Sequence, residues 1–228
     1  MSYPGLGDRL ALIRRQIAER QAARGWTHPV TIVAVTKTHG PEAVQAAIDA
    51  GLGAVGENRV QEALGKQAAL PGARVEWHLI GSLQTNKARQ AVGHFALIHS
   101  VDRIELATEL ARRAAPGNRQ AILIQVNCSG EAQKGGVEPA GLAELLQQIA
   151  ALPALEVRGL MTMAALTEDP GRQRAAFGQL HESRQQMVNQ GHRLPELSMG
   201  MSGDYQVAVE EGATLVRLGT LLFGERGT

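Results

Sequence analysis

The chain has a single cysteine, Cys128, among 228 residues. One thiol excludes an internal disulfide and any cysteine-built metal site, and it suits a reducing cytoplasm. No apolar run approaches the length of a membrane span. The first apolar stretch, residues 6–21, is broken by Asp8, Arg9, Arg14, Arg15, Glu19 and Arg20, which excludes the uninterrupted core of a secretory signal. A surplus of one charge sign is missing as well. Lys and Arg number 23 against 22 Asp and Glu, for a net charge of +1. With basic and acidic residues intermixed, there is no electrostatic reason to expect nucleic acid as a partner. No low-complexity linker divides the chain, so a single domain over 1–228 is expected.

What is present is an ordinary globular composition, 44% hydrophobic and 20% charged. Leu6, Leu10, Ile13 and Ile17 fall on one face of an opening helix. Eight short apolar runs follow, read as strands over 31–37, 54–55, 75–79, 95–98, 121–126, 156–160, 196–198 and 214–218. Helical patterns fill the gaps at 41–50, 60–69, 85–92, 102–115, 138–151, 170–189 and 202–211. Strict alternation of strand and helix implies parallel strands with right-handed crossovers, and eight such strands close into a (β/α)8 TIM barrel, here an α/β fold with an extra N-terminal helix. An open doubly wound sheet is the alternative. The Gly-x-Gly-x-x-Gly fingerprint that would favour it is absent after the first strand.

Active sites of barrels lie where strands end and the following loops begin. Those positions hold Lys37, Asn58, His78, Ser100, Asn127, Met161 with Met163, the run 198–204, and Arg217 with Gly219 and Thr220. Lys37 is the most informative. An amine at the end of the buried run 31–36 is shielded from water, burial disfavours its ammonium form, and a neutral amine is a nucleophile suited to a Schiff base. Ser202 is read either as a helix cap or as a phosphate ligand, with Gly219 and Thr220 beside it as backbone approach and hydroxyl donor. For Arg217 two partners stay open: a carboxylate such as Glu225 or Asp204, or the ring nitrogen of pyridoxal phosphate. Asn58 with Gln61 has the spacing of a capping box, as has Asp102 with Glu105. His78 is read as a hydrogen-bonded core histidine or a proton donor near a ligand.

Six segments carry a likeness to a known family: 33–37 (VAVTK), 56–62 (GENRVQE), 78–87 (HLIGSLQTNK), 159–163 (GLMTM), 197–202 (LSMGMS) and 216–224 (VRLGTLLFG). In this order they closely resemble the YggS/PROSC family of pyridoxal phosphate homeostasis proteins, whose barrel is similar to the N-terminal domain of alanine racemase. The resemblance implies pyridoxal 5'-phosphate as cofactor, held as a Schiff base on Lys37. It places Arg217 at the pyridine nitrogen and Ser202, Gly219 and Thr220 at the phosphate; Asn58, His78 and Met163, read from their positions at the strand ends, complete the set of expected cofactor-binding residues. It implies a role in intracellular vitamin B6 homeostasis without substantial turnover, as a cytoplasmic monomer that touches no membrane, with pyridoxal-phosphate-dependent apoenzymes as recipients. Alanine racemase has a further domain and a catalytic tyrosine from its partner subunit. The present chain stops soon after its eighth strand, and its only tyrosines are Tyr3 and Tyr205. A racemase-like enzyme is the alternative, and a Schiff-base aldolase without cofactor a more distant one. His39 stands where many relatives have a second lysine, and Lys134 resembles another lysine of the family.

Overall fold

In the computed structural model, which describes residues 3–131 and 135–224, the alternating pattern becomes eight parallel strands, each followed by helix. The chain opens with α1 (Leu6–Arg24) and continues through β1 (Thr31–Val35), α2 (Pro41–Asp49), β2 (Ala54–Glu57), α3 (Val60–Ala69) and β3 (Glu76–Leu79). A 3-10 turn, Thr85–Lys87, leads into the short α4 (Ala88–Ala91), followed by β4 (Leu97–Val101), α5 (Ile104–Arg113) and β5 (Gln120–Gln125). The last part holds α6 (Leu142–Ala150), β6 (Leu155–Met161), α7 (Pro170–Asn189), β7 (Glu196–Met201), α8 (Tyr205–Glu210), β8 (Leu215–Leu218) and α9 (Thr220–Phe223). Each strand pairs with its neighbours in sequence, and β1 pairs with β8, Val33 opposite Arg217, so the sheet closes without an edge. The barrel and the helix before it are those expected from the sequence.

The core has two shells. Between sheet and helices lies a continuous apolar cluster, into which α1 inserts Leu6, Leu10, Ile13 and Ile17. Arg9 ties this helix to the end of the chain by donating from Nε and Nη2 to the Leu222 carbonyl, at 3.0 and 2.7 Å. Inside the barrel, Val33, Ala54, Leu97, Leu123, Met161 and Leu215 fill a second cluster, with Met163 packed on it. Burying a side chain of the size of Leu123 contributes about 1.5–3 kcal/mol. Gly159 is fixed by contact: a Cβ there would sit 1.9 Å from the Glu196 carbonyl oxygen across the β6–β7 pair.

Several boundaries move, for physical reasons that bear on the site. β1 ends at Val35, so Lys37 lies in the turn after the strand, with the His39 amide bonded back to the Thr36 carbonyl at 3.1 Å. β4 occupies 97–101 and not 95–98, because His99 and Ser100 are buried with polar partners and need no solvent. β7 runs on to Met201. Two expected capping boxes are absent: Arg59 and Arg103 occupy the cap positions of α3 and α5 without side-chain cap bonds, and Asp102 pairs with Arg103 instead.

Candidate functional site

A cavity of about 570 Å³ opens at the C-terminal ends of the strands, a size within the usual range for small-molecule sites. Lys37, Asn58, Met163, Ser202, Arg217, Gly219 and Thr220 all line it. They come from the ends of β1, β2, β6, β7 and β8, so barrel closure is what brings them together. Leu166, fully exposed in the loop after β6, forms part of its rim.

The half-buried Lys37 sits between two anchored neighbours. Thr36 is buried, and its hydroxyl donates to Glu57 Oε1 at 2.5 Å. Lys66, buried on the inner face of α3, donates to the Thr36 carbonyl at 2.7 Å, to Glu57 Oε1 at 2.6 Å and to Glu62 Oε1 at 2.8 Å. Glu62 Oε1 also accepts the Thr38 amide at 2.6 Å. Burial pushes the Glu57 carboxyl above its usual range, against the hydrogen bonds from Lys66 and Thr36, and its Oε2 has no hydrogen-bond partner. Partial burial also raises Glu62, but hydrogen bonds from Lys66 and the Thr38 amide outweigh it and hold this carboxyl below the usual range.

On the cavity floor, Arg217 is almost fully buried. Its Nη1 donates to the Ser198 carbonyl at 2.9 Å and the Ser198 hydroxyl at 2.6 Å, and its Nη2 donates to the Thr162 carbonyl at 2.9 Å. Among the described residues none of its hydrogen-bond partners is a carboxylate. Burial lowers its pKa to about 10, and the field of Asp204 opposes that shift, so the group stays protonated at neutral pH. Of the two carboxylates considered from sequence, Asp204 acts only through this field and Glu225 lies outside the described residues.

Ser198 Oγ in turn lies 2.9 Å from His99 Nδ1, and His99 Nε2 lies 3.0 Å from His78 Nδ1. The row therefore crosses the barrel interior from β8 and β7 to β4 and β3. His78 thus sits apart from the other seven predicted residues. It is buried inside the barrel, with its Nε2 turned to within 3.6 Å of Glu76 at the start of β3, and it does not line the cavity. Burial depresses the pKa of both histidines, most strongly for His99, where His78, when protonated, and the Arg217 guanidinium add to the effect.

At the other wall, Ser202 does not cap α8. Its Oγ faces β8 and α9 and accepts from the amides of Gly219 at 3.2 Å and Leu221 at 3.4 Å. A Cβ added at Gly219 would meet only ordinary contacts, 3.5 Å from Val35, and none within 4 Å at Gly203, so this wall has space for a group approaching the backbone. His39 is held by the Tyr3 hydroxyl at 3.1 Å, and Lys134 lies outside the described residues. Among the described residues no cluster of His, Cys, Asp or Glu is placed to hold a metal ion.

Sequence reasoning gave no role to Lys66, Glu57 or His99, and placed Ser198 at a strand end without assigning it one. Signals existed. Lys66 interrupts the buried stripe of Val60 and Ala63 on α3, and His99 and Ser100 interrupt an apolar run, each a charged or polar residue at a core position.

The alanine racemase N-terminal domain family matches residues 10–227. A pyridoxal phosphate homeostasis protein of Aquifex aeolicus is 48% identical over 217 residues, covering 94% of this chain and 95% of its own length. This chain belongs to the pyridoxal phosphate homeostasis protein family. Members of that family with solved structures include PipY of Synechococcus elongatus with pyridoxal phosphate bound, 43% identical, TM-score 0.80, covering 91% of this chain and 100% of PipY. Alanine racemase of Clostridium difficile, 13% identical with TM-score 0.77, covers 97% of this chain but only 60% of its own length, and shares the fold. The homeostasis-family relatives carry no enzyme name.

Proposed function

We propose that this chain binds pyridoxal 5'-phosphate in the cavity and serves its homeostasis as a carrier, passing it to apoenzymes that depend on it. When bound, the cofactor supplies an aldehyde that an amine can capture and a ring that withdraws electrons. In this reading Lys37 holds the aldehyde carbon covalently and Arg217 donates to the ring nitrogen. Ser202, Gly219 and Thr220 receive the phosphate, and Asn58 and Met163 flank the ring. His78 acts from below, through His99 and Ser198, without touching the cofactor.

The observation that carries the proposal is the pairing of Lys37 and Arg217 at the adjoining ends of β1 and β8, in one cavity, in a family whose member PipY is seen with the cofactor. A carrier is favoured over a catalyst by the same arginine. Fixed by three acceptors and protonated, it cannot give up a proton to the ring nitrogen, which leaves the ring a weak electron sink. Among the described residues no second base lines the cavity. The Tyr205 hydroxyl is engaged by Gln16 and the Tyr3 hydroxyl by His39, and neither tyrosine lines the cavity.

The test is borohydride trapping of protein incubated with pyridoxal phosphate, followed by peptide mass spectrometry. The adduct is expected on Lys37, and Lys37→Ala is expected to lose it while remaining folded. An adduct on Lys66 or Lys87 in the wild type overturns the assignment.

A further inference from the structure

We propose that Glu62, backed by Lys66, is a positioning residue for Lys37, holding the strained turn that aims the amine into the cavity. The inference rests on the reading of Lys37 as the attachment residue.

Thr38, directly after Lys37, has φ 68°, the only positive φ at a non-glycine position among the described residues. For a β-branched side chain this conformation is disfavoured, and such strain persists only where surrounding contacts enforce it. Here the enforcing contact is visible. The Thr38 amide donates to Glu62 Oε1 on α3, and the same oxygen accepts from Lys66. Lys66 spends its other two donated bonds on Glu57 and on the carbonyl of Thr36. The peptide groups on both sides of Lys37 are thereby fastened to one buried cluster, which limits the arc its side chain can sweep. An ammonium has three protons, and these three acceptors use all of them. The two neighbouring lysines therefore divide the work: Lys66 is saturated and holds, Lys37 is directed into the cavity and reacts. Fixing a nucleophile beforehand raises its effective concentration at the reacting carbon.

The experiment compares wild type, Glu62→Ala, Glu62→Gln and the double variant Glu62→Ala/Thr38→Gly, all stripped of cofactor. Lys66→Met is avoided, because it leaves the Glu57 carboxyl buried without its cation and reports on folding. Two rates are measured: growth of the visible absorption band after adding pyridoxal phosphate, and acetylation of Lys37 by a small acylating reagent, followed by mass spectrometry without any cofactor. Thermal midpoints are recorded in parallel. Glu62→Ala is expected to lower the midpoint and slow both reactions of Lys37 about tenfold. Glu62→Gln keeps an oxygen for the Thr38 amide and is expected to stay within about threefold of wild type. Glycine at 38 relieves the left-handed strain but adds freedom, so the double variant should regain its midpoint without regaining the rates.

Rates that recover together with the midpoint, or that never fall in Glu62→Ala, overturn the proposal. Failure of the underlying reading looks different: wild type then shows no borohydride-trapped adduct on Lys37 at all. Should Glu62→Ala not fold, a slowing of more than threefold in Glu62→Gln also counts against the proposal, since its amide oxygen preserves the hold on Thr38.

Discussion

Arg217 and His99 share one atom, the hydroxyl oxygen of Ser198. Arginine can only donate, so this oxygen accepts from Arg217 and keeps a second lone pair and its own proton for His99 Nδ1. His99 Nε2 in turn faces His78 Nδ1, with one proton between the two rings, and His78 Nε2 faces Glu76. One fixed cation at the cavity floor is thus linked through a single hydroxyl to two histidines across the barrel, and burial requires both rings to stay neutral at neutral pH.

That requirement gives a pH dependence. The folded-state pKa values of His78 and His99 lie below the ordinary 6.5. Above pH 6.5 both rings are neutral whether the chain is folded or not, and stability is unaffected. As the pH falls below 6.5 the unfolded chain takes up protons that the folded chain refuses, and stability drops by about 1.4 kcal/mol per pH unit for each histidine until its folded pKa is reached. Urea unfolding midpoints are expected to be flat from pH 8 to 7 and to fall steadily from 6.5 to 5. A midpoint that holds constant down to pH 5 contradicts the neutral row.

Ser198→Ala removes one acceptor from Arg217 and the hydrogen-bond partner of His99 Nδ1, leaving both buried. A loss of about 1–3 kcal/mol is expected in equilibrium unfolding. Weaker cofactor binding should accompany it, because the guanidinium loses the contact that orients it. Unchanged stability would mean that other groups satisfy Arg217.

Phosphate recognition is checked at Ser202 and Gly219. Ser202→Ala removes a hydroxyl at the phosphate wall, and a lost hydrogen bond to an anion costs about 1.5–3 kcal/mol, or about tenfold to a hundredfold in affinity for pyridoxal phosphate. Pyridoxal without its phosphate should hardly respond. Gly219→Ala meets no closer neighbour than 3.5 Å, so the thermal midpoint should stay near that of wild type while the same affinity falls. Equal losses with both ligands would show that Ser202 acts through the α9 amides it accepts from.

Carrier and racemase are separated by L-alanine in D2O. With no tyrosine on the cavity wall and Arg217 at the ring nitrogen, α-proton exchange followed by proton NMR should not exceed the rate with free pyridoxal phosphate. Exchange many times faster, and lost in Lys37→Ala, would restore the racemase.

The barrel was legible because each strand is a short apolar run and each helix has a stripe: Leu6, Leu10, Ile13 and Ile17 were expected on one face and are buried there. Strand lengths were less legible. Strand β2 extends to Glu57 and β4 to Val101, since polar side chains inside a barrel look like strand ends when their partners are distant in sequence. Seven of eight proposed site residues meet in the cavity because position at a strand end is a topological property. What lies beneath them was hidden for the opposite reason. Lys66 with Thr36, and His99 with Ser198, are joined by hydrogen bonds across the fold, and no local spacing announces such a pair.

The β1–β8 seam sets an order of events during synthesis. Lys37 is made well before its facing strand, with Arg217, and until β8 is made the barrel is an open trough. A nascent or truncated chain therefore displays the amine without the arginine or the Gly219 wall. In the proposed reading, retention of the cofactor by both residues waits for β8, so it reports that synthesis has passed the seam.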